Sequence, residues 1–260
     1  MQAHSLYIHI PFCQHRCAYC DFNTYAGLDS LIPNYVDALV RELTWLAQDE
    51  SPLHTIFFGG GTPSLLSVEQ VGQILHAVRG HFDLLPDAEI NLEANPGTTS
   101  QEFLNGIREL GVNRLSLGLQ SVHSEELLLL ERIHTFDDAL QAVSDARQAG
   151  FDNLNLDLMF ALPGQSLANW ERSLELALQV NPEHFSLYSL TFEHGTPFSA
   201  MLNRGLLTVP SEDRAADMYR MAQKIMKAAG YAHYEISNWA KRDDSGEPLS
   251  SRHNLQYWKN

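Results

Sequence analysis

Short stretches rich in β-branched and other apolar residues alternate along the chain with longer stretches in which apolar positions recur at helical spacing. The strand candidates are Leu6–Ile10, Thr55–Phe58, Glu89–Glu93, Arg114–Leu119, Asn153–Leu158, His184–Leu190 and, as the weakest, Ala232–Ile236. The helix candidates are Asn34–Gln48, Val68–His81, Gln101–Leu110, Phe136–Ala149, Asn169–Gln179 and Glu212–Ala229. This alternation predicts an α/β fold with a parallel sheet and helices outside it. Periodicity alone leaves open an open doubly wound sheet and a complete or partial barrel.

Composition narrows the class of protein. The chain has 260 residues, of which 44% are hydrophobic, which is enough for one sizeable core. Its formal net charge of −15 repels phosphate backbones, so we expect no nucleic-acid partner. The start of the chain lacks a signal-peptide pattern, and no apolar run is long enough to span a bilayer. We therefore expect a cytoplasmic protein without direct membrane insertion.

Polar or glycine-rich residues lie at the ends of five successive strand candidates or directly after them. Function in parallel α/β folds sits at the carboxyl ends of the strands. There the sequence places the cysteine loop, the run Gly59–Pro63, Glu93, Gln120 and Asp157. We expect these groups to meet at one rim of the sheet.

The chain has three cysteines, Cys13, Cys17 and Cys20, and all of them lie in the loop after the first strand. An odd, clustered set is unlike a disulfide framework and indicates a metal site. Three thiolates are one fewer than an iron–sulfur cubane usually takes, so one iron would stay open to a ligand. A zinc site completed by His9 or His15, and three unliganded structural cysteines, are the alternatives.

The spacing Cys-x3-Cys-x2-Cys after the first strand resembles the signature of the radical S-adenosylmethionine (SAM) superfamily. The run Gly59–Pro63 is similar to that superfamily's glycine motif, although a glycine run by itself also suits a tight turn. This resemblance implies a 4Fe-4S cluster held by Cys13, Cys17 and Cys20, with SAM as the second cofactor.

Further motifs resemble the oxygen-independent coproporphyrinogen III oxidase family, which includes HemW-type heme chaperones. They are Tyr7-Ile-His-Ile-Pro-Phe-Cys13, Phe57-Phe-Gly-Gly-Gly-Thr-Pro-Ser64, Glu93-Ala-Asn-Pro-Gly-Thr98, Leu115-Ser-Leu-Gly-Leu-Gln-Ser121, Arg132-Ile-His134 and Asp157-Leu-Met-Phe-Ala-Leu-Pro-Gly-Gln165. By motif, the resemblance implies SAM or cofactor contacts at Tyr7, Tyr19, Gly60, Gly61, Thr62, Glu93, Gln120, Arg132 and Asp157. It identifies no catalytic residue.

Three features favour the heme chaperone branch over the porphyrinogen dehydrogenases. Phe22 stands where the dehydrogenases have a further cysteine, and only six residues precede Tyr7, where they have a long extension. The segments Tyr234–Trp239 and His253–Trp258 resemble segments of HemW-type proteins. The resemblance implies that His253 contacts heme as cargo, with a surface histidine near the chain end as the alternative reading.

The resemblance also implies a partial (β/α)6-type TIM-like barrel. We expect residues 1–240 to form the radical SAM core and residues 241–260 to begin a truncated C-terminal region. Acceptor hemoproteins are the expected partners. The competing functions are coproporphyrinogen oxidation by oxidative decarboxylation, which we do not expect of this chain, and a zinc-bound structural domain.

Overall fold

The computed structural model describes residues 4–46 and 52–259. The strands in chain order are β1 (His4–Ile10), β2 (Phe12–Cys13), β3 (Tyr25–Ala26), β4 (Leu53–Gly60), β5 (Leu84–Ala94), β6 (Arg114–Gln120), β7 (Leu154–Phe160), β8 (His184–Ser189), β9 (Ala232–His233) and β10 (Asn238–Ala240). The helices are α1 (Ile32–Leu46), α2 (Val68–His81), α3 (Gln101–Glu109), α4 (Ser124–Leu129), α5 (Phe136–Gln148), α6 (Leu167–Gln179), α7 (Pro197–Asn203), α8 (Glu212–Ala228) and α9 (Arg252–Lys259). Residues 47 and 48 of the first predicted helix, and residues 1–3, lie outside this description.

Six strands of the main sheet are parallel and neighbour one another in the order β1-β4-β5-β6-β7-β8. This confirms the predicted partial barrel of six β/α units. Beyond β8 the sheet continues antiparallel through β10 and β9, with Trp239 opposite both Phe185 and His233. The seventh predicted strand, Ala232–Ile236, is therefore shorter than expected and lies in an antiparallel hairpin, because the chain reverses at residues 234–237 instead of crossing over through a helix.

The two faces of the parallel strands differ sharply in polarity. Apolar side chains at alternate positions, such as Ile90, Leu117 and Leu156, are buried in the core beneath the helices. The intervening positions point into the barrel and are buried as well, yet many are polar, as at Asn91, Ser116 and others. Alternation of apolar and polar residues in strands buried on both faces distinguishes a barrel with a polar interior from a flat sheet covered by helices on both sides.

The helix boundaries agree closely with the predicted ones, and local signals explain them. Ser67 and Thr135 form capping boxes at the starts of α2 and α5. Positive-φ glycines follow four of the described helices, as at Gly150, where φ is +88°. The short helices α4, α7 and α9 escaped prediction because each has eight residues or fewer. Every helix in the described part of the chain falls short of the length and hydropathy needed to cross a bilayer.

The segment after β10 closes the amino-terminal end of the barrel. Its helix, α9, begins beside Glu89, whose carboxylate accepts hydrogen bonds from Ser251 Oγ at 3.3 Å, Arg252 N at 3.1 Å and His253 N at 3.2 Å. The carboxylate thus satisfies orphan N–H groups at the helix start, as a capping side chain would. This packing joins residues 251–259 to the barrel, and the division at residue 240 stays a prediction.

Candidate metal and cofactor site

The loop that follows β4 is hydrogen-bonded to the loop that follows β1. Gly61 N donates to Ile10 O at 2.8 Å, and Thr62 N donates to Phe12 O at 2.8 Å. A Cβ on Gly61 would lie 2.6 Å from Phe12 O and 2.9 Å from Cys13 Sγ. Only glycine therefore permits this close approach of the two loops, which places the glycine motif against the first cysteine.

These loops border a cavity of about 430 Å³ at the carboxyl ends of the parallel strands. The predicted site residues that line it are Cys13, Cys17, Tyr19, Cys20, Gly60, Gly61, Thr62, Glu93, Gln120, Arg132 and Asp157. Tyr7 and His253 do not line it. The rule that function gathers at strand ends thus brings together residues that are up to 144 positions apart in the sequence, from Cys13 to Asp157.

Three free thiols lie along one side of this cavity. Burial, opposed by a hydrogen bond from Thr62 and reinforced by the nearby Cys20 and Cys17, raises the pKa of Cys13. Arg132 Nη1 donates to Cys17 Sγ at 3.7 Å. No set of three His, Cys, Asp or Glu side chains in residues 4–46 and 52–259 is placed to hold a metal ion. A hydroxyl and a guanidinium directed at the thiols suit thiolate ligands, each of which would bind a different iron of a cluster.

Two half-buried carboxylates, Glu93 on β5 and Asp157 on β7, face the cavity. Burial, followed by the negative charge of Asp157, raises the pKa of Glu93 to about 8, and a hydrogen bond from Gly60 N at 3.2 Å opposes this shift. Burial raises the pKa of Asp157, while donors from Asn155 and Ser116 oppose the shift. Two carboxylates with so few positive neighbours favour a ligand that carries positive charge.

Arg132 lines the same cavity as the thiols and the carboxylates. Its Nη2 donates to Gly118 O at 3.0 Å, whereas its buried Nε has no hydrogen-bond partner among the described residues. Gln120, at the end of β6, has a φ of +66°, and the ladder to β7 shifts register there. A buried, unpaired N–H of a guanidinium that lines a cavity suits a ligand carboxylate or hydroxyl.

The two predicted tyrosines occupy different places. Tyr19 lies on the cavity wall, and burial raises its pKa. Tyr7 stacks on Phe57 with ring centroids 5.9 Å apart, and its hydroxyl lies 3.3 Å from His9 Nδ1. Burial and the charge of Glu93 raise the pKa of Tyr7 to about 12. Tyr7 thus lies beside Gly59 of the glycine loop and is 44% exposed, and its contact with SAM stays a prediction.

His253 is only 3% exposed, so the alternative reading as a surface histidine is wrong. Its ring lies 4.9 Å from that of Phe57, and its Nδ1 lies 2.8 Å from Thr55 Oγ1. Its buried Nε2 has no partner among the described residues, and burial lowers the pKa of the ring to about 4. Thr55 lies near the amino-terminal end of β4, whereas the cysteine loop lies beside the carboxyl end of that strand.

The sequence prediction missed several residues of the barrel. Tyr188 lines the cavity near the end of β8, and burial raises its pKa. The rule that located Asp157 on β7 would have found it, because Tyr188 follows two other inward positions, His184 and Ser186, at a spacing of two. Phe22, which stands where the dehydrogenases have a further cysteine, also lines the cavity.

Comparison with known proteins agrees with the family resemblance of the sequence motifs. The model of the radical SAM superfamily matches residues 7–177. The chain is 44% identical to the heme chaperone HemW of Mycobacterium tuberculosis over 99% of this chain and 66% of that protein. It is 42% identical to the heme chaperone HemW of Bacillus subtilis over 98% of this chain and 67% of that protein. The chain thus spans about two thirds of the length of these curated relatives.

Among solved structures, the chain is similar to coproporphyrinogen III oxidase (HemN) from Escherichia coli, described as a radical SAM enzyme. The TM-score is 0.83 at 28% identity, and the match covers 92% of this chain and 56% of that one. Methylornithine synthase is similar in fold alone, with a TM-score of 0.61 at 15% identity. The shared architecture is that of the six parallel strands and their outer helices.

Proposed function

This chain belongs to the radical SAM superfamily and, within it, to the HemW family, and we propose that it is a heme chaperone built on a radical SAM scaffold. The observation that carries the proposal is one cavity lined by three free thiols, two half-buried carboxylates and Arg132, whose Nε is unpaired among the described residues. The activity, substrate and partners of the whole protein are part of the proposal, because the chain spans about two thirds of its relatives. Its clustered free thiols suit the reducing cytoplasm.

We propose that Cys13, Cys17 and Cys20 hold a 4Fe-4S cluster. Their geometry fits such a group because all three thiols line one cavity, and because Arg132 donates to Cys17. With three thiolates in place, one iron is available to a ligand, and a bound cluster supplies the electron for reductive cleavage of SAM. The protein's part is to shield this group and to orient its ligand.

The remaining cavity residues suit SAM, which carries a cationic ammonium and sulfonium beside a carboxylate. Glu93 and Asp157 supply the negative charge, and the backbone of Gly60–Thr62 allows close approach. Arg132 Nε, buried and without a partner in the described residues, suits the ligand carboxylate. Tyr19 and Gln120 contribute further wall contacts, and Tyr7 lies beside Gly59 of the glycine loop.

Heme is proposed as cargo, with α9 as the element that takes part in its binding. Tyr257 and Trp258 are exposed and offer aromatic surface to a porphyrin. His253 has a free Nε2 on a neutral ring, which suits an iron ligand, although it faces the barrel interior. Binding of iron by His253 therefore requires α9 to move away from Thr55 and Glu89. Apo-hemoproteins are the proposed acceptors, and residues 241–260 the proposed start of a C-terminal region.

The test begins with anaerobic reconstitution of the chain, followed by iron and sulfide analysis, heme titration and an assay of coproporphyrinogen decarboxylation. We expect labile sulfide, heme binding and no decarboxylation at an enzymatic rate. Decarboxylation without heme binding would support the coproporphyrinogen oxidase alternative, and zinc without labile sulfide would support a structural zinc domain. Cys17→Ser is the matched control, since it removes one thiolate and leaves the barrel intact.

A further inference from the structure

Two side chains inside the barrel donate hydrogen bonds to the carboxylate of Asp157. Asn155, two residues earlier on β7, donates from Nδ2 to Asp157 Oδ1 at 2.7 Å. Ser116 Oγ donates to Asp157 Oδ2 at 3.0 Å. Both donors are buried. Ser116 lines the cavity, whereas Asn155 does not, so the orientation of Asp157 depends in part on a residue outside the cavity and outside the motifs that predicted the site.

The side-chain amide of Asn155 has one orientation that fits its neighbours. Rotated by half a turn, its oxygen would face the carboxylate of Asp157 and repel it. In the orientation present, its Oδ1 accepts from Ser186 Oγ at 3.1 Å and lies 2.6 Å from His184 Nδ1. An amide oxygen can only accept, so His184 carries its proton on Nδ1.

The chain of donors continues on the other side of the imidazole. Burial lowers the pKa of His184 well below its usual range, so the ring is neutral and its Nε2 is an acceptor. The hydroxyl of Tyr234 donates to Nε2 across 2.7 Å, and the same oxygen accepts from Ser251 N at 3.3 Å. Every bond from Ser251 through Tyr234, His184 and Asn155 therefore points toward Asp157.

We propose that Asn155, His184 and Tyr234 are positioning residues that orient the Asp157 carboxylate toward the SAM site. Through them, the orientation of this carboxylate depends on the packing of Ser251 against Tyr234. This inference rests on the proposed function for the identity of the ligand. It gives a role to the segment Tyr234–Trp239, which the family resemblance marked without a function. Bonds that share one direction polarise one another, so loss of an outer member weakens the inner ones.

The test compares Tyr234→Phe with Tyr231→Phe. Each variant loses one tyrosine hydroxyl from the same part of the chain, but Tyr231 donates to Pro182 O and takes no part in the chain of bonds to Asp157. The first measurement is nitrogen NMR of the histidine rings in the cofactor-free chain, with the His184 signals assigned from His184→Gln. We expect a protonated Nδ1 and an unprotonated Nε2 in the wild type. The Nε2 signal should move in Tyr234→Phe and not in Tyr231→Phe.

The second measurement is equilibrium dialysis of labelled SAM against the anaerobically reconstituted proteins. We expect the dissociation constant to rise about two- to tenfold in Tyr234→Phe, the range for one lost hydrogen bond, and to stay unchanged in Tyr231→Phe. A proton on Nε2 of His184 in the wild type, or equal affinities of the two variants, would overturn the inference. A wild-type chain that binds no SAM would overturn the proposed function instead, and the NMR result would then decide the hydrogen-bond chain alone.

Discussion

Glu89 and Glu93 lie on the same strand, four residues apart, and both point into the barrel, yet their surroundings are opposite. Glu89 accepts three hydrogen bonds from residues 251–253 and lies 3.9 Å from Arg114. Glu93 accepts one hydrogen bond, from Gly60 N, and has Asp157 as a charged neighbour. The first carboxylate is satisfied by the chain itself, whereas the second has one donor and no positive partner among the described residues, so a cationic ligand would stabilise its charged form. The carboxylate at the amino-terminal end of the barrel therefore holds the structure together, and the one at the carboxyl end lies in the proposed cofactor site.

The largest effect should come from the satisfied carboxylate. Glu89→Ala leaves Arg114 buried without its partner and removes the cap of α9, so we expect a loss of about 3–5 kcal/mol in the free energy of unfolding. Urea unfolding measures it. Asp87→Ala is the control, because Asp87 is exposed and its carboxylate pairs with Arg252 at the surface, so its loss should stay below about 1 kcal/mol. Equal losses in the two variants would contradict the structural role of Glu89.

Next in size is the effect of the unpaired guanidinium nitrogen at the site. Arg132→Met removes both the proposed partner of the ligand carboxylate and the donor to Cys17, so SAM affinity should fall about tenfold to a hundredfold. Arg108→Met is the matched control, since Arg108 bonds Gly150 O on the outer surface and should leave affinity unchanged. Dialysis of the reconstituted proteins measures both. An unchanged affinity in Arg132→Met would place the ligand elsewhere.

The pH dependence of stability tests the difference between Glu93 and Glu89. Its pKa of about 8 lies above the value near 4.5 of an exposed glutamate, so the folded chain binds more protons than the unfolded chain between these values. The stability that protonated Glu93 contributes is then fully present below pH 4.5 and is lost as the pH rises toward 8. Glu93→Gln should flatten this slope by up to about 1.4 kcal/mol per pH unit in the cofactor-free chain.

Urea titrations at several pH values between 4.5 and 8 measure this slope. Glu109→Gln, on the outer helix α3, is the control and should leave the slope as it is in the wild type. A slope that Glu93→Gln does not alter would mean that Glu93 is ionised throughout, with a positive partner that the described residues do not provide.

The smallest change in stability is expected at the exposed end of α9. Trp258→Ser should alter the free energy of unfolding by less than about 0.5 kcal/mol, because the ring is 59% exposed. Heme affinity should nevertheless fall in an absorbance titration if this surface holds the porphyrin. Trp45→Ser, at the end of α1 with its residue 72% exposed, should change neither quantity. Equal heme affinities in the two variants would remove α9 from the proposed heme site.

Much of the fold was predictable because local signals agree with the tertiary structure. The six parallel strands and the helices between them follow from periodicity, and α2 begins at Val68 and ends at His81 as predicted. The partial barrel rested on family resemblance, although β5 and β6 already contain a usable signal. Polar residues alternate with apolar ones from Glu89 to Glu93 and from Arg114 to Leu119, which indicates a buried polar interior.

The site was predictable where it coincides with strand ends and motifs, and not where it depends on distant segments. Cys13, Glu93 and Asp157 follow from their positions at or just after the carboxyl ends of strands. The contacts of His184 with Tyr234 and of Thr55 with His253 join residues 50 and 198 positions apart, and no local pattern encodes such pairs. The antiparallel turn at residues 234–237 was missed for the same reason, since it depends on pairing with β8.

The sequence by itself determined the order of the elements, the cysteine loop and the family, because these depend on neighbouring residues and on spacing along the chain. Only the tertiary structure decided which buried polar groups are satisfied. Glu89 and Glu93 occupy equivalent inward positions of one strand, and their difference arises from the helix that packs at one end of the barrel and the loops that leave a cavity at the other. Burial and charge are properties of the space around a side chain, and folding creates that space.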